Sequence, residues 1–228
     1  LEKIILKKKI KFIFSIQHKW IISKKIIDLV NGNAFNLHLC TLPDYRGSCG
    51  INLAILHKKK YINATLHYII PEVDMGPVVF EEKVKIEKND NAFSLYGKLE
   101  EKGYNVFLKL FSHIIKGKKI PKNYKNGTSL FGSYKSLDKY RVLNYNQKNI
   151  NDQFLYSKAL NFKPFKPLII KNNNQNFYLT PEITETKTQK KFVRVSSKII
   201  NTYKNKDEIK KLLKKKETPL EKKLYCQK

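Results

Sequence analysis

The fold class is decided by residues 9–39, which read KIKFIFSIQHKWIISKKIIDLVNGNAFNLHL. Residues 9–17 are a dense apolar and β-branched run, which predicts a buried strand. Residues 23–33 predict a short helix capped by Ser23, and residues 34–39 predict the next strand. The order strand, helix, strand is typical of a parallel sheet covered by helices, so the sequence predicts an α/β fold.

The following residues continue this alternation of helices and strands. GINLAILHKKK (50–60) has helical spacing, while NATLHYII (63–70) and PVVFEEKVKI (77–86) have the composition of strands. The longest helical pattern covers residues 91–117, and its apolar face carries Leu95, Leu99, Val106, Leu110 and Ile114. Together these elements predict one substantial core, which a chain of 228 residues is long enough to bury.

Two polar residues in the 34–39 strand, Asn36 and His38, are the strongest chemical signal. Residues i and i+2 of a strand point to the same face, so these two side chains project together. IIPEVDMG (69–76) then places one carboxylate, Asp74, in a loop. An amide can stabilise an oxyanion, an imidazole can move a proton and a carboxylate can orient the imidazole, so the set suits acyl transfer. Spacing alone leaves open a structural, hydrogen-bonded Asn–His pair.

The same stretches resemble the folate-dependent formyltransferases. That family includes methionyl-tRNA formyltransferase, glycinamide ribonucleotide formyltransferase and the sugar-nucleotide N-formyltransferases. Its pattern is Asn-x-His, Leu-Pro, an aromatic-Arg-Gly loop, a Thr-x-His strand and Asp-x-Gly. The matching residues, within roughly residues 10–120, are Asn36, His38, Leu42, Pro43, Tyr45, Arg46, Gly47, Thr65, His67, Asp74 and Gly76. Leu39-Cys40 stands where the family usually has Pro-Ser, a difference that concerns the shape of the loop.

The resemblance implies a Rossmann-like formyltransferase domain with a parallel-rich sheet, followed by a small C-terminal α+β appendage. It implies formyl transfer from the co-substrate 10-formyltetrahydrofolate, without a metal. The implied catalytic residues are Asn36, His38 and Asp74. The implied folate-binding residues are Trp20, Ile21, Ile22, Ile70, Glu72 and Asp74, and the implied substrate-binding residues are Tyr45 and Arg46. For Trp20, a position in the core is an equally good interpretation of the sequence.

The acceptor that the resemblance favours is the primary amine of an amino-sugar nucleotide, as in lipopolysaccharide O-antigen biosynthesis. SKALNFKPFKP (157–167) resembles the start of the small tail of sugar N-formyltransferases, with Lys158 where Arg is common. Methionyl-tRNA formylation is the alternative. Because the family's opening βα units are not found before LEKIIL (1–6), an inactive fragment or interaction protein is a second alternative.

Composition shifts along the chain predict four regions. They are a catalytic core (1–120), a turn-rich linker (121–147), a helix and hairpin (148–186), and a basic, partly helical tail (187–228). No cleavable signal peptide and no apolar run of membrane-spanning length is evident, so we expect a cytoplasmic protein. A homodimer is left open.

The formal charge of +27 comes almost entirely from lysine, since arginine occurs only at Arg46, Arg141 and Arg194. Evenly spread lysine is more typical of a solvated surface than of a nucleic-acid groove, so tRNA is the less favoured partner. Cys40 and Cys49 have no metal-site spacing and are interpreted as small buried residues rather than catalytic thiols. Of the other histidines, His67 is interpreted as structural, because no carboxylate is evident near it.

Overall fold

The computed structural model describes residues 1–18, 20–144, 150–160, 162, 168–172, 175–179, 182–186 and 189–193. They divide into two compact units, Leu1–Leu137 and Asp138–Lys228. The elements of the first unit, in chain order, are α1 (Glu2–Lys8), β1 (Ile13–Ile16), α2 (Lys24–Leu29), β2 (Ala34–His38), β3 (Tyr45–Gly47), α3 (Gly50–Leu56), β4 (Tyr61–Tyr68), β5 (Val78–Lys85), α4 (Ala92–Ile115) and β6 (Leu130–Gly132). A 3₁₀ helix, Tyr134–Tyr140, follows.

The predicted α/β class is confirmed, and the main sheet has the strand order β1-β2-β4-β5. β1 and β2 are parallel and are joined through α2, as the sequence predicts. β2 pairs with β4, and β4 with β5, in antiparallel fashion. The expectation of a parallel-rich sheet is therefore wrong for these four strands, which form a mixed sheet with one parallel pairing. The short connection between β4 and β5 permits a hairpin but no parallel crossover, which needs a dozen or more residues.

The first strand is shorter than predicted. The helix α1, which was not predicted, takes up residues 2–8, and Lys9 ends it in a left-handed conformation with φ 49°. Ile5 of α1 is buried in a cluster with Ile26, Ile27, Val30 and Ala34. The apolar residues before the strand are thus used to cover α2 rather than to lengthen the sheet.

The long helix α4 covers one face of the sheet. Asn91 caps it by accepting hydrogen bonds from the backbone N–H groups of Phe93 and Ser94, both at 2.9 Å. Gly103 sits so close to β2 that a Cβ atom there would lie 2.9 Å from a Leu37 methyl group. Leu37 therefore faces α4, and its neighbours along β2, Asn36 and His38, project from the opposite face of the sheet.

The segment predicted as a linker starts within the first unit. Asn123 and Val78 exchange backbone hydrogen bonds at 2.8 and 2.9 Å, and β6 pairs in parallel with β3. These pairings hold Asn123 against β5 and β6 against β3.

The second unit contains β7 (Val142–Asn144), α5 (Ile150–Leu160), β8 (Leu168–Asn172), β9 (Gln175–Leu179), β10 (Glu182–Thr186) and β11 (Gln189–Val193). β7, β8 and β9 form one sheet, and β10 and β11 form a separate hairpin. In the region predicted as a helix and hairpin, the structure has α5 and the antiparallel pair β8–β9. Of the predicted basic tail, the structure describes β11, and residues 187–188 and 194–228 lie outside the described residues.

Candidate active site

Asn36 and His38 lie on one face of β2, as their spacing predicts, and the register of β4 brings further groups to them. Asn36 is paired with His67, and His38 with Thr65. The Asn36 amide nitrogen is 3.1 Å from His67 Nε2. His67 is thus part of this cluster, and the interpretation that it has no carboxylate near it is wrong, because Nε2 also lies 3.5 Å from Asp74 Oδ1.

The Asp74 carboxylate is the centre of the cluster. Its Oδ2 accepts a hydrogen bond from the Gly47 backbone N–H at 2.8 Å and lies 3.7 Å from His38 Nδ1. Its Oδ1 lies 3.5 Å from both the Asn36 amide nitrogen and His67 Nε2. Asp74 adopts a left-handed backbone conformation with φ 56°, which is uncommon outside glycine and is found among residues held at functional positions. The structure therefore brings Asn36, His38 and Asp74 together, as predicted.

Burial by itself raises the pKa of Asp74, but three contacts outweigh it. They are a hydrogen bond from the protonated His67 ring, the charge of a protonated His38 and the amide of Gly47, and together they lower the pKa to about 2. Only a tenth of the side chain is exposed. Asp74 is thus a buried carboxylate that stays ionised at every physiological pH.

The two nitrogens of His38 have different environments. Nε2 lies 2.7 Å from the Tyr45 carbonyl oxygen, and since a carbonyl can only accept, Nε2 is the donor. Nδ1 of the neutral ring then faces the Asp74 carboxylate with a lone pair. Burial lowers the pKa of His38, while the charge of Asp74 and the Tyr45 carbonyl oppose that shift. A neutral His38 and an ionised Asp74 together form two acceptors that face each other.

Two glycines permit these contacts. Gly47, which donates to Asp74, has φ +84°, and a Cβ atom there would lie 2.4 Å from the Gly132 carbonyl oxygen. A Cβ atom on Gly76 would lie 1.8 Å from the Tyr68 carbonyl oxygen. A side chain at Gly47 would push β3 away from β6, and one at Gly76 would push the Asp74 loop away from the strand that carries His67.

The two residues predicted to bind the substrate are placed differently from each other. The Tyr45 side chain is 4% exposed and its hydroxyl is hydrogen-bonded to His57 Nδ1 at 3.1 Å, so Tyr45 gives the site its carbonyl rather than its hydroxyl. Burial is the main cause that raises the pKa of Tyr45, to about 12. Arg46 lies beside the Asp74 loop, where its Nη1 donates to Ser129 Oγ at 2.9 Å and contacts Met75 Sδ at 2.7 Å.

The residues predicted to bind folate fall in two loops. Trp20 and Ile21, after β1, are 79% and 75% exposed, so the interpretation of Trp20 as a core residue is wrong. Ile22 and Ile69, one from each loop, pack against the same buried cluster of α1 and α2 residues. Ile70 is half-buried and Glu72 is exposed in the second loop, ahead of Asp74. The two loops thus pack on the same cluster of α1 and α2 residues, and the Trp20 side chain on the first loop is exposed to solvent.

Other chemistries have less support among the described residues. Cys40 and Cys49 are buried free thiols, and burial raises the pKa of both, that of Cys49 to about 11. They are therefore neutral at physiological pH and poor nucleophiles. In the described ranges, no group of three or more His, Cys, Asp or Glu side chains is arranged to hold a metal ion. Within the same ranges, no helix is both long and apolar enough to cross a bilayer.

Comparison with known proteins agrees with this geometry. Residues 3–111 match the family model described as Formyl transferase. Over 168 residues the chain is 30% identical to the methionyl-tRNA formyltransferase of Clostridium tetani, an alignment that covers 73% of this chain and 53% of that protein. The chain thus spans about half the length of this curated relative. Over residues 3–111, the chain is thus similar to the formyltransferases.

Solved structures support the same fold. A 4-N formyltransferase from Francisella tularensis superposes with a TM-score of 0.69 at 20% identity, over 81% of this chain and 75% of that one. An N-formyltransferase from Helicobacter canadensis, solved with folinic acid and dTDP-3-aminofucose, superposes with a TM-score of 0.64 at 25% identity, over 81% and 68% of the two chains. The structure therefore has the Rossmann-like α/β fold of the formyltransferases.

Proposed function

We propose that the protein transfers a formyl group from 10-formyltetrahydrofolate to the primary amine of an amino-sugar nucleotide. The observation that carries this proposal is the convergence of the Asn36 amide, the His38 imidazole and the ionised Asp74 carboxylate on one face of the sheet. This set provides a hydrogen-bond donor for a developing oxyanion and a buried acceptor for a proton.

10-Formyltetrahydrofolate supplies the formyl carbon and a leaving nitrogen, N10. When the amine adds to that carbon, negative charge grows on the formyl oxygen, and an N–H of Asn36 stabilises it. The amine gives up a proton to the lone pair of His38 Nδ1, and Asp74 Oδ2, 3.7 Å away, stabilises the charge that the imidazole then carries. The new carbon–nitrogen bond forms, the bond to N10 breaks, and the proton is passed on to N10.

The chain's exposed residues fit a folate donor. Trp20 offers a large aromatic surface to solvent, with Ile21 beside it, and a flat heteroaromatic ring stacks well on such a surface. Ile22 and Ile69 hold the two loops on one buried cluster, which fixes the walls between which the ring would lie. Trp20, Ile21, Ile22, Ile70, Glu72 and Asp74 are the residues that we assign to folate.

We assign the formyl acceptor from the solved structures with a similar fold and from the position of Arg46. The Helicobacter canadensis enzyme was solved with an amino-sugar nucleotide, and the superposition covers 68% of that chain. Arg46 lies next to Met75 and Asp74, where a guanidinium suits the phosphates of a nucleotide. A role in O-antigen synthesis, a cytoplasmic location and a homodimer are further parts of this proposal.

Methionyl-tRNA is the second candidate acceptor. The observation that favours it is the 30% identity to the Clostridium tetani methionyl-tRNA formyltransferase. The net charge of +27 would also attract tRNA, in a way that weakens steeply with salt.

Isothermal titration with a stable analogue of 10-formyltetrahydrofolate tests the proposal, with wild type beside Trp20→Ala and Tyr104→Ala. Tyr104 is an exposed aromatic residue on α4, which covers the opposite face of the sheet, and serves as the control. We expect saturable binding that Trp20→Ala weakens about tenfold, the loss of one stacking contact. Equal affinity of all three proteins would refute the folate assignment, and no binding to a folded wild type would refute the donor itself.

A further inference from the structure

His67 lies at an irregular position in the sheet. It lies in β4 at a register shift, where Leu66 pairs with Phe80 but His67 pairs with Val78. Bulges of this kind re-aim a side chain and are frequent beside active sites. The side chain is 3% exposed, and its imidazole therefore has to find partners for both nitrogens inside the protein.

The backbone fixes the tautomer of His67. Nδ1 lies 2.8 Å from the Tyr68 carbonyl oxygen, which can only accept, so Nδ1 carries a hydrogen. Gly76 packs directly over that carbonyl, and the Tyr68 N–H donates to Pro77 at 3.0 Å, so the acceptor cannot turn away. In the neutral ring, Nε2 then carries a lone pair and can only accept.

This tautomer decides which end of the Asn36 amide faces inward. The Asn36 terminal atom nearest the ring lies 3.1 Å from Nε2 and 3.5 Å from Asp74 Oδ1, which are both acceptors. Only the NH2 group can occupy that place, because an amide oxygen would face two lone pairs. One N–H is bound to His67, and the other is left for Asp74 Oδ1 or for a developing oxyanion.

We propose, on the basis of the function proposed above, that His67 is a positioning residue that holds the Asn36 amide as a hydrogen-bond donor. The chain of contacts runs from the Tyr68 carbonyl through His67 to Asn36, and each member has a fixed donor or acceptor role. Without the acceptor at Nε2, the amide is free to turn over and to present its oxygen to the formyl oxygen. The oxyanion would then meet a repelling lone pair instead of a donor.

A matched pair of substitutions separates this role from a merely structural one. His67→Gln places an amide oxygen near the position of Nε2, so it keeps an acceptor for Asn36. His67→Asn keeps only a partner for the Tyr68 carbonyl. We expect His67→Asn to lower kcat about 10- to 100-fold, part of the roughly 100- to 1,000-fold that removal of an oxyanion donor costs. KM for both substrates should change less than about threefold, and His67→Gln should recover most of the lost rate.

Nitrogen-15 NMR of the wild-type histidine rings tests the same inference without any turnover. We expect the neutral His67 ring to be protonated at Nδ1 and unprotonated at Nε2, and the Asn36 side-chain amide signals to shift in His67→Asn but little in His67→Gln. A neutral ring protonated at Nε2, or equal rates for the two variants, would overturn the inference. A wild type with the expected tautomer but no formyl transfer would instead refute the proposed function alone.

Discussion

Replacing Asp74 with asparagine removes the charge at the centre of the site while keeping its shape. Asparagine is one of the few residues that tolerate the left-handed backbone found here, φ 56°, so the substitution adds little strain. It still lets an oxygen accept from the Gly47 N–H. The change therefore tests the electrostatics of the site rather than its backbone.

The magnitude follows from the lowered pKa. Asp74 titrates at about 2 instead of 3.8, and one pKa unit is worth roughly 1.4 kcal/mol. Because the pKa is lower in the folded protein, the carboxylate adds stability above pH 4, and this is lost as the pH falls from about 4 towards 2. Over this window the free energy of unfolding of the wild type should fall by about 2 kcal/mol through Asp74, and Asp74→Asn, which has no carboxylate there, should show no such fall.

Urea unfolding of both proteins between pH 5 and pH 2.5, followed by circular dichroism, checks this prediction. The difference in the free energy of unfolding between wild type and Asp74→Asn should shrink by about 2 kcal/mol as the pH is lowered. A difference that stays constant over the whole range would show that the contacts from Gly47, His38 and His67 do not stabilise the charge, and would refute the electrostatic account of the site.

Three further predictions address the backbone, the imidazole and the loop. Gly76→Ala should lower the free energy of unfolding by about 2–3 kcal/mol, because its Cβ would overlap the Tyr68 carbonyl. Gly97 on α4 faces open space, so Gly97→Ala should raise the free energy of unfolding by about 0.5–1 kcal/mol in the same urea experiment. Equal effects of the two substitutions would contradict the close contact between Gly76 and the Tyr68 carbonyl. NMR titration of His38 should give a midpoint below 6.5, since burial outweighs the charge of Asp74, and a midpoint above 6.5 would reverse that order. Trp20→Ala should change the free energy of unfolding by less than about 0.5 kcal/mol, as its side chain is exposed, and a thermal-melt shift of many degrees would show that it supports the fold.

The sequence was sufficient for the local parts of the fold. The order strand, helix, strand and the shared face of Asn36 and His38 depend on periods of 3.6 and 2, which are visible in a single sequence. The long helix over residues 91–117 was predicted within two residues of its observed ends. The antiparallel direction of β4 and β5 was not predicted, because the sequence of an apolar strand does not show which way it runs relative to its neighbour.

The candidate site was predicted in part. Asn36, His38 and Asp74 were found from residue type, spacing and resemblance, but His67 was set aside. Its partners come from the antiparallel register with β2 and from a loop that folds back over the strand, and neither is encoded in local spacing. Tyr45 shows the opposite case, since its type suggested a substrate contact while the fold uses its carbonyl to hold His38.

The most direct test of the central claim is a transfer assay with the purified chain. 10-Formyltetrahydrofolate is supplied with either a dTDP-amino sugar or methionyl-tRNA, and release of tetrahydrofolate is followed for wild type, Asn36→Ala and the surface control Asn105→Ala. We predict formylation of the amino sugar, with a rate that falls roughly 100- to 1,000-fold in Asn36→Ala and stays unchanged in the control. Wild-type rates in Asn36→Ala would contradict the assigned mechanism, and transfer to methionyl-tRNA alone would replace the amino sugar as the acceptor.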